Sequence, residues 1–464
     1  MTTGMINREL SGRRPNIVFI IADDHQYDAI HALGNPEIRT PSLDRLAEGG
    51  TVFRNTNING GTSGAVCAPC RACVHTGNPY FQATVSGTLQ DHIDNITMRP
   101  DHALMPAVMR EHGYRTFATG KWHNDFASFN RCFQGGENIF FGGMSDHYQV
   151  PVHDYDPEGH YPPEKRHVKA GFSSELFTES AIAFIEDAKE DEPFFLYVAY
   201  TAPHDPRTAP EPYDSMYDPA EITLPGNFLP EHPFDHGARD IRGEYLAAQP
   251  RQPEEIRRHI ADYYGMITHM DAQIGRLMTA LEKNGQADNT IIVYTSDHGL
   301  ALGRHGLMAK QSMYEHSIRV PWMMKGPGIE AGLQLDDLCY QFDIFPTLCD
   351  WVGVPVPNSV RGISHYSVMR ERGRTQPIRG TVYSLYRDVQ RGIKDERWKL
   401  ILYRKSPATG QGSNEMQLFD LHHDPWETNN LAGDCRYEPH KNRLHEQLRI
   451  TMNAFDDPYR HLFL

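Results

Sequence analysis

The sequence predicts an α/β protein with a doubly wound, mainly parallel sheet flanked by helices, followed by a smaller antiparallel sheet packed with one helix. Apolar segments of strand length alternate with segments of helical periodicity from residue 16 to about residue 350 of the 464 residues. Several strands are continuous apolar runs, as expected where both faces of a parallel sheet are buried. After about Trp351 short strands follow one another closely, which is typical of an antiparallel sheet.

The large sheet is predicted to begin with Asn16–Ala22, an unbroken apolar run that ends at Asp23-Asp24. Three further strands are predicted at residues 115–119, 194–200 and 290–295. Helices are predicted between them at residues 41–50, 103–112, 173–189 and 253–285. Alternation of strands and helices favours parallel pairing, because each helix carries the chain back across the sheet.

The C-terminal part is predicted to form strands at residues 381–386, 390–394, 398–403 and 416–421 and a helix at residues 439–455. We therefore expect a polar lead-in (1–14), a main α/β domain (15–355) and a C-terminal α+β subdomain (356–464). Residues 203–251, rich in Pro, Asp and His, are predicted to be a long ordered loop around the site or a partly mobile lid.

Composition excludes some classes of partner. The net charge of −15 argues against a nucleic-acid protein, because no surplus of Lys and Arg is present to neutralise phosphates. A local positive pocket would still accept an anionic substrate. No apolar stretch has transmembrane length, and the first residues lack an apolar signal core, so we expect no membrane partner and a cytoplasmic location. A trimmed signal would instead place the protein in the periplasm or outside the cell, while the seven cysteines suggest reduced thiols.

Polar residues that can bind metal or carry protons follow four of the predicted strands. They are Asp23 and Asp24, Lys121 with His123, His204, and Asp297 with His298. Ligands of open α/β sheets bind at the carboxyl ends of the strands, where these residues would meet. The alternatives are helix caps, hydrogen-bonding neighbours of the site and ordinary loop histidines, which matter in a chain with 25 histidines.

Carboxylates of Asp23, Asp24 and Asp297 are hard oxygen ligands that suit Ca²⁺ or Mg²⁺. A nitrogen from His298 moves the preference toward Mn²⁺ or another transition ion. One divalent cation is therefore expected at this edge of the sheet.

The residues Cys67-Ala-Pro-Cys-Arg-Ala-Cys-Val-His-Thr-Gly77 carry the most specific motif. Their C-x-P-x-R core, followed by Thr-Gly, resembles the signature of the type I, formylglycine-dependent sulfatases of the alkaline-phosphatase-like superfamily. The resemblance continues in the segments 16–24, 120–123, 202–204, 296–310 and 418–431. It therefore covers almost the whole chain and implies an alkaline-phosphatase-like fold.

The resemblance implies that a formylglycine-generating enzyme oxidises Cys67 to 3-oxoalanine. One hydroxyl of the hydrated aldehyde would attack sulfur, and the second would lose its proton so that the carbonyl reforms and sulfate leaves. The implied metal ligands are Asp23, Asp24, the converted Cys67, Asp297 and His298. Ca²⁺ is the expected ion, with Mg²⁺ and Mn²⁺ as alternatives.

The remaining site residues have roles that this chemistry requires. Cys67 is expected to open a helix, where the N-terminus favours an anion, with Pro69 in the first turn. Arg71, one turn along, would hold the diol or a metal ligand. Lys121 and Lys310 would bind sulfate oxygens. His204 would protonate the leaving alcohol and His123 would orient or deprotonate the attacking hydroxyl, although these two roles could be exchanged.

Three residues depart from the family pattern. Cys70 replaces the more usual Ser, and with Cys73 it gives C-x-x-C-x-x-C, which leaves an iron–sulfur or zinc site as a rival to small buried side chains. His298 stands where many members carry Asn, a pairing with Asp297 that resembles iduronate-2-sulfatase-like enzymes and phosphonate monoester hydrolases. Asp24 favours the sulfatases, since the phosphonate enzymes tend to have Gln there.

The sequence thus predicts a sulfuric ester hydrolase acting on a sulfated carbohydrate or other small organic sulfate. A phosphonate monoester hydrolase or phosphodiesterase is the alternative enzyme, and a non-catalytic binding module is the alternative from another class. Specificity is expected in the loops at residues 142–169 and 203–251. Tyr148, His153 and Tyr155 are candidate sugar contacts, with ordinary polar loop residues as the competing interpretation.

Overall fold

The computed structural model describes residues 13–85, 96–371 and 377–464. Residues 1–12 of the predicted polar lead-in therefore lie outside the described residues. Within the described ranges, no helix is both long enough and apolar enough to cross a membrane.

The strands are β1 Asn16–Ala22, β2 Thr51–Asn57, β3 Gly60–Gly61, β4 Arg115–Lys121, β5 Gly135–Phe140, β6 Phe194–Ala199, β7 Thr290–Ser296, β8 Arg319–Lys325, β9 Leu333–Tyr340, β10 Val382–Tyr386, β11 Gln390–Lys394, β12 Trp398–Tyr403 and β13 Met416–Asp420. The helices are α1 Pro41–Glu48, α2 Cys67–Thr76, α3 Tyr80–Ala83, α4 Met105–Glu111, α5 Phe126–Cys132, α6 Ser173–Asp187, α7 Pro253–Lys283, α8 Glu315–Ile318, α9 Ile344–Val352, α10 Tyr366–Arg370 and α11 Glu438–Ala454.

Eight strands of the described residues form the large sheet, in the order β5-β4-β6-β1-β7-β8-β2-β9. The neighbouring pairs are parallel except those that involve β8, which runs antiparallel to β7 and to β2. The predicted fold class is therefore confirmed. The strands that carry the predicted site residues, β4, β6, β1 and β7, are consecutive neighbours, so their carboxyl ends share one edge.

The apolar run of β1 is explained by burial on both faces of the sheet. Ile17, Phe19 and Ile21 belong to the hydrophobic core on one face, and Val18, Ile20 and Ala22 belong to the core on the other. A strand covered on both sides has no solvent face to supply polar residues, which is why it lacks the usual alternation.

The smaller sheet has the order β13-β12-β11-β10-β3, with antiparallel pairs from β10 to β13. Helix α11 packs on it through Leu444, Leu448 and Met452, which join Leu400 and Leu402 in the core. The short strand β3, from the N-terminal half of the chain, pairs in parallel with β10. The division of the chain at residues 355 and 356 stays a prediction.

Side-chain contacts also join the C-terminal part to the large sheet. Glu427 accepts a hydrogen bond from the backbone N–H of Glu315 at 2.8 Å and pairs with Lys399 at 2.5 Å. Lys399 and Lys394 both contact the Glu315 carboxylate, at 3.0 and 2.8 Å. Because Glu315 begins α8, immediately before β8, this buried network anchors the smaller sheet beside the large one.

Candidate active site

The predicted polar residues meet at the carboxyl edge of the large sheet. Asp23 and Asp24 follow β1, Lys121 is the last residue of β4, and Asp297 and His298 follow β7. All five side chains are buried. Their neighbours at the same edge are His123, two residues beyond β4, and His204 in the loop after β6. The structure therefore brings together side chains that lie nearly 300 positions apart in the sequence.

Cys67 is the first residue of α2 and Pro69 lies in its first turn, as expected. Only 1% of Cys67 is exposed, and its Sγ lies 3.6 Å from Nζ of Lys121. Burial disfavours the thiolate, but the positive charges of Lys121, His123 and Lys310 bring the pKa of Cys67 well below its ordinary value. The surroundings of Cys67 at the N-terminal end of α2 therefore stabilise negative charge.

Arg71 holds one of the metal-competent carboxylates in place. Its Nε donates to Oδ2 of Asp297 at 3.0 Å, and its Nη1 donates to the Lys121 carbonyl at 2.8 Å and to the Tyr197 hydroxyl at 3.3 Å. The guanidinium is fully buried, so the contact with Asp297 compensates a charge that water does not reach. Oδ1 of Asp297 accepts from the backbone N–H of Asp24 at 3.2 Å and lies 3.5 Å from Nε2 of His298.

Four donor atoms fit a divalent cation. Atoms of Asp23, Cys67, Asp297 and His298 lie within 4.8 Å of one another, and a second group joins Asp23 to Asp24 and His204. Oδ1 of Asp23 and Nε2 of His298 are buried, lie 4.0 Å apart and have no hydrogen-bond partner among the described residues. Buried polar atoms rarely stay unpaired without a missing ion or water, so these two atoms support the predicted cation site.

The pKa shifts of the clustered carboxylates also support a cation site. Burial and the neighbouring negative charge of Asp23 raise the pKa of Asp297 to about 6. The pKa of Asp23 is held well below its usual range because Lys121, with His204, Lys310 and Arg71, outweighs the effect of burial. Two carboxylates this close oppose each other's ionisation, and a divalent cation between them would relieve that opposition.

Lys310 and the two predicted proton-transfer histidines also face this edge. Nζ of Lys310 lies 2.6 Å from Oδ1 of Asp24. Nε2 of His204 is 4.0 Å from Oδ2 of Asp24, while its Nδ1 lies 2.8 Å from the carbonyl of Asp205. Burial lowers the pKa of His123, and the neighbouring Cys67 thiolate opposes that effect. The residues predicted to bind the cation or to take part in catalysis thus all lie at this edge, while the role of each stays a prediction.

A cavity of about 740 Å³ opens above Cys67. Its walls come largely from the two segments predicted to carry specificity, including Gly143 and Arg166 from one and Arg207 and Arg242 from the other. His153 lines the cavity, as the sequence suggested.

Tyr148 and Tyr155, although both are described, are not among the residues that line the cavity. Tyr148 is 42% exposed and its ring lies 5.1 Å from that of Phe172, whereas Tyr155 packs against the large core. The two tyrosines therefore do not meet the expectation that they contact a sugar in this cavity.

Cys70 and Cys73 lie in hydrophobic surroundings. Both thiols are buried, and burial raises the pKa of each well above the ordinary value. Neither cysteine belongs to a potential ligand group found among the described residues. The interpretation as small buried side chains fits this environment, and the iron–sulfur or zinc alternative gains no support.

Three contacts of the site were not found from the sequence. The Gly143 carbonyl accepts from Nζ of Lys121 at 2.5 Å, Tyr197 contacts Arg71, and the Asp205 carboxylate bridges Nδ1 of His204 at 3.4 Å and Arg242 at 2.6 Å. Tyr197 lies inside an apolar strand, where nothing but its hydroxyl distinguishes it. Asp205, next to His204, carried the one usable signal, because a histidine with an adjacent carboxylate is a frequent orienting pair.

Comparison with known proteins agrees with this geometry. The family model described as Sulfatase matches residues 15–354, and the one described as N-sulphoglucosamine sulphohydrolase, C-terminal, matches residues 303–454. An N-acetylglucosamine-6-O-sulfatase of Bacteroides thetaiotaomicron is 27% identical, over 96% of this chain and 87% of that protein.

Two solved structures share the fold. One, determined in complex with its substrate D-glucosamine-2-N,6-O-disulfate, has a TM-score of 0.78 and 25% identity, over 96% of this chain and 99% of that chain. The phosphonate monoester hydrolase of Agrobacterium radiobacter has a TM-score of 0.75 and 22% identity, over 95% of this chain and 96% of that chain.

The fold and the edge of polar residues define a hydrolase of the alkaline-phosphatase-like superfamily. Within that superfamily the family match covers well over half of the chain. The chain belongs to the sulfatase family, and it is a sulfuric ester hydrolase.

Proposed function

We propose that this sulfatase hydrolyses sulfate monoesters of carbohydrates, using a formylglycine made from Cys67 by a formylglycine-generating enzyme and one divalent cation, with Ca²⁺ expected. One observation carries the proposal. Cys67 lines a cavity large enough for a sugar unit, and its Sγ belongs to the same buried cluster as Asp23, Asp297 and His298. The proposed nucleophile, its proposed cation ligands and a substrate-sized space thus lie together, which supports the proposal.

The formylglycine would supply a hydroxyl that attacks sulfur, and the cation would neutralise charge on that hydroxyl and on the sulfate. Lys121, 3.6 Å from Sγ of Cys67, would bind a sulfate oxygen beside the nucleophile. Lys310 would bind a second oxygen, and its position beside Asp24 supports that role. Arg71 would keep Asp297 oriented toward the cation.

Proton transfer is assigned to the two histidines. The contact of Nδ1 of His204 with the Asp205 carbonyl leaves Nε2 to carry the proton for the leaving alcohol. His123, beside Cys67, would orient or deprotonate the attacking hydroxyl. As the acid, His204 must begin with a proton on the donating nitrogen. As the base, His123 must begin with a free lone pair.

A carbohydrate substrate is supported by the relatives and by the cavity. One relative is an N-acetylglucosamine-6-O-sulfatase, and a similar structure holds a disulfated glucosamine as its substrate. The cavity in this chain is lined by His153, Arg166 and Arg242, whose side chains suit hydroxyl and anionic groups of a sugar.

The proposal is tested with chain produced together with a formylglycine-generating enzyme. Peptide mass spectrometry should show an aldehyde at Cys67, and ion chromatography should detect sulfate released from a panel of N- and O-sulfated glucosamines and other sulfated saccharides. Cys67→Ser is the matched control, which should keep the fold but lose multiple turnover. Full activity of the Cys67→Ser variant, or of protein in which Cys67 is still a thiol, would contradict the mechanism.

Hydrolysis of phosphonate monoesters is the second candidate. His298 in the cation cluster and the similarity in fold to a phosphonate monoester hydrolase support it, whereas Asp24 supports sulfate. Matched aryl sulfate and aryl phosphonate esters separate the two. A phosphonate rate far above the sulfate rate would reverse the order of the candidates.

A further inference from the structure

The cation cluster contains a sulfur atom as long as Cys67 is not converted. Sγ of Cys67 lies with donor atoms of Asp23, Asp297 and His298 in one buried group whose members are within 4.8 Å of one another. Thiolate and imidazole are typical ligands of Zn²⁺, whereas Ca²⁺ prefers oxygen ligands in greater number. The cluster therefore has a different donor chemistry before and after oxidation of Cys67.

We propose that the unconverted chain binds Zn²⁺ through Cys67, Asp23, Asp297 and His298, and that conversion of Cys67 removes this site. Binding would form a sulfur–zinc bond with the Cys67 thiolate, any proton on the sulfur passing to solvent, with no change of oxidation state. Conversion replaces the sulfur with an oxygen donor, so that the site comes to favour a harder cation. The inference is independent of the natural ester.

The orientation of His298 supports the site. Its Nδ1 lies 3.0 Å from the carbonyl of Gly299, a contact in which an Nδ1–H donates and Nε2 keeps its lone pair. Nε2 is buried, lies 3.5 Å from Oδ1 of Asp297 and finds no hydrogen-bond partner in the described part of the chain. Such an imidazole is held in the tautomer that a metal ion requires.

The two carboxylates are arranged in a similar way. Arg71 occupies Oδ2 of Asp297, and Lys121 occupies Oδ2 of Asp23, so that Oδ1 of each carboxylate faces the cluster. Within the described ranges, Oδ1 of Asp23 has no hydrogen-bond partner. Tetrahedral zinc with bonds of about 2.0–2.3 Å needs donors about 3.5 Å apart, so small side-chain movements would close the group around the ion.

The test uses chain made without a formylglycine-generating enzyme, with the thiol at Cys67 verified by peptide mass spectrometry. The protein is stripped of metal and titrated with Co²⁺, which reports sulfur ligation by a thiolate-to-cobalt band in the near ultraviolet. We expect the band to saturate at one ion per chain and Zn²⁺ to abolish it. A hundredfold excess of Ca²⁺ should leave it unchanged.

Cys70→Ser is the matched control, because it removes a buried thiol of the same helix that belongs to no ligand group found among the residues the structure describes. It should keep the band, while Cys67→Ser and the converted chain should lose it. Zinc affinity should fall more than about tenfold on conversion, since loss of even an outer partner of a ligand costs about 10–100-fold. Absence of the band from unconverted chain, or its loss in Cys70→Ser with retention in Cys67→Ser, would overturn the proposal.

Discussion

Lys310 shows how a single charge connects a loop to the strand ends. It lies 2.6 Å from Asp24, in a segment far along the chain from it, and also lines the cavity above Cys67. Burial alone would lower its pKa, but the surrounding carboxylates and the Cys67 thiolate raise it, so the ammonium form is secured. A fixed positive charge at this position is suited to stabilising charge that develops on sulfate oxygens.

Lys310→Ala should therefore reduce kcat/KM for a sulfate ester by about 10²–10³-fold, the range found when one charge-stabilising donor is removed from an active site. Steady-state kinetics of the converted enzyme measure the effect, and circular dichroism checks the fold. Lys405→Ala, at an exposed position, serves as the control and should change nothing. Near-normal kcat/KM in Lys310→Ala would remove Lys310 from the catalytic group.

For single residues, the sequence predicts which side chains can bind metal or transfer protons better than it predicts which groups those side chains contact. Asp23, Lys121 and Asp297 are visible because a polar residue directly follows, or ends, an apolar strand. The Gly143 carbonyl that accepts from Lys121 could not be found in this way, because any backbone could offer it. Partners that depend on the mutual placement of distant loops leave no signature in residue type.

The strands of the large sheet differ in how clearly the sequence predicts them. The fully buried β1, β6 and β7 were predicted from their apolar runs, whereas β2, β8 and β9 were not. Residues of β2 and β9 mix apolar and polar types without strict alternation. Whether these residues form strands therefore depends more on the neighbouring strands of the sheet than on their own sequence pattern.

Strand β8 contains Pro321, which argues against an interior strand because proline has no N–H to donate. The structure explains why it is tolerated. Phe53 pairs with Trp322 and Thr56 with Val320, and the register shifts between Phe53 and Thr56. Pro321 thus lies opposite a β-bulge, where the ladder is already interrupted.

The loop at residues 142–169 yields a second prediction. Arg166 is exposed at the cavity, and no ion pair of its guanidinium is found among the described residues. Arg166→Ala should raise KM about fivefold, equal to roughly 1 kcal/mol, for substrates with a second anionic group, and leave kcat unchanged. Arg449→Ala, an exposed arginine paired with Glu446 on α11, is the control. Equal effects on singly and doubly charged substrates would refute selective recognition.

Over the whole molecule, buried neutral histidines connect the long loop at residues 203–251 to the loop after β7. His232 contacts the carbonyl of His305 through Nδ1 at 3.0 Å, and Nε2 of His305 contacts Asn227 at 2.9 Å. The His305 ring also stacks on Tyr314 at 3.8 Å. Burial lowers the pKa of His232 to about 4 and that of His305 to about 3. Nε2 of His305 accepts from the Asn227 amide only when its ring is uncharged, and burial disfavours charge on both rings.

Stability should consequently fall as the pH drops from about 6.5 toward 4. An unfolded histidine takes up a proton near pH 6.5, whereas these two residues resist protonation in the folded chain. In that window the unfolded state binds more protons, so the free energy of unfolding decreases with decreasing pH. At pH 5 the loss would be about 2 kcal/mol for each histidine, as an upper estimate.

Urea unfolding between pH 7.5 and 5, at a fixed concentration of divalent cation, measures this dependence. The variants His232→Gln and His305→Gln should each be less stable at pH 7.5, because they disturb buried contacts, but should lose less stability on acidification. His461→Gln, at the exposed C-terminal end, should reproduce the parent curve. If both buried variants keep the full pH dependence, the acid sensitivity arises from other buried groups instead, such as His25 and His147, whose pKa burial lowers to about 4.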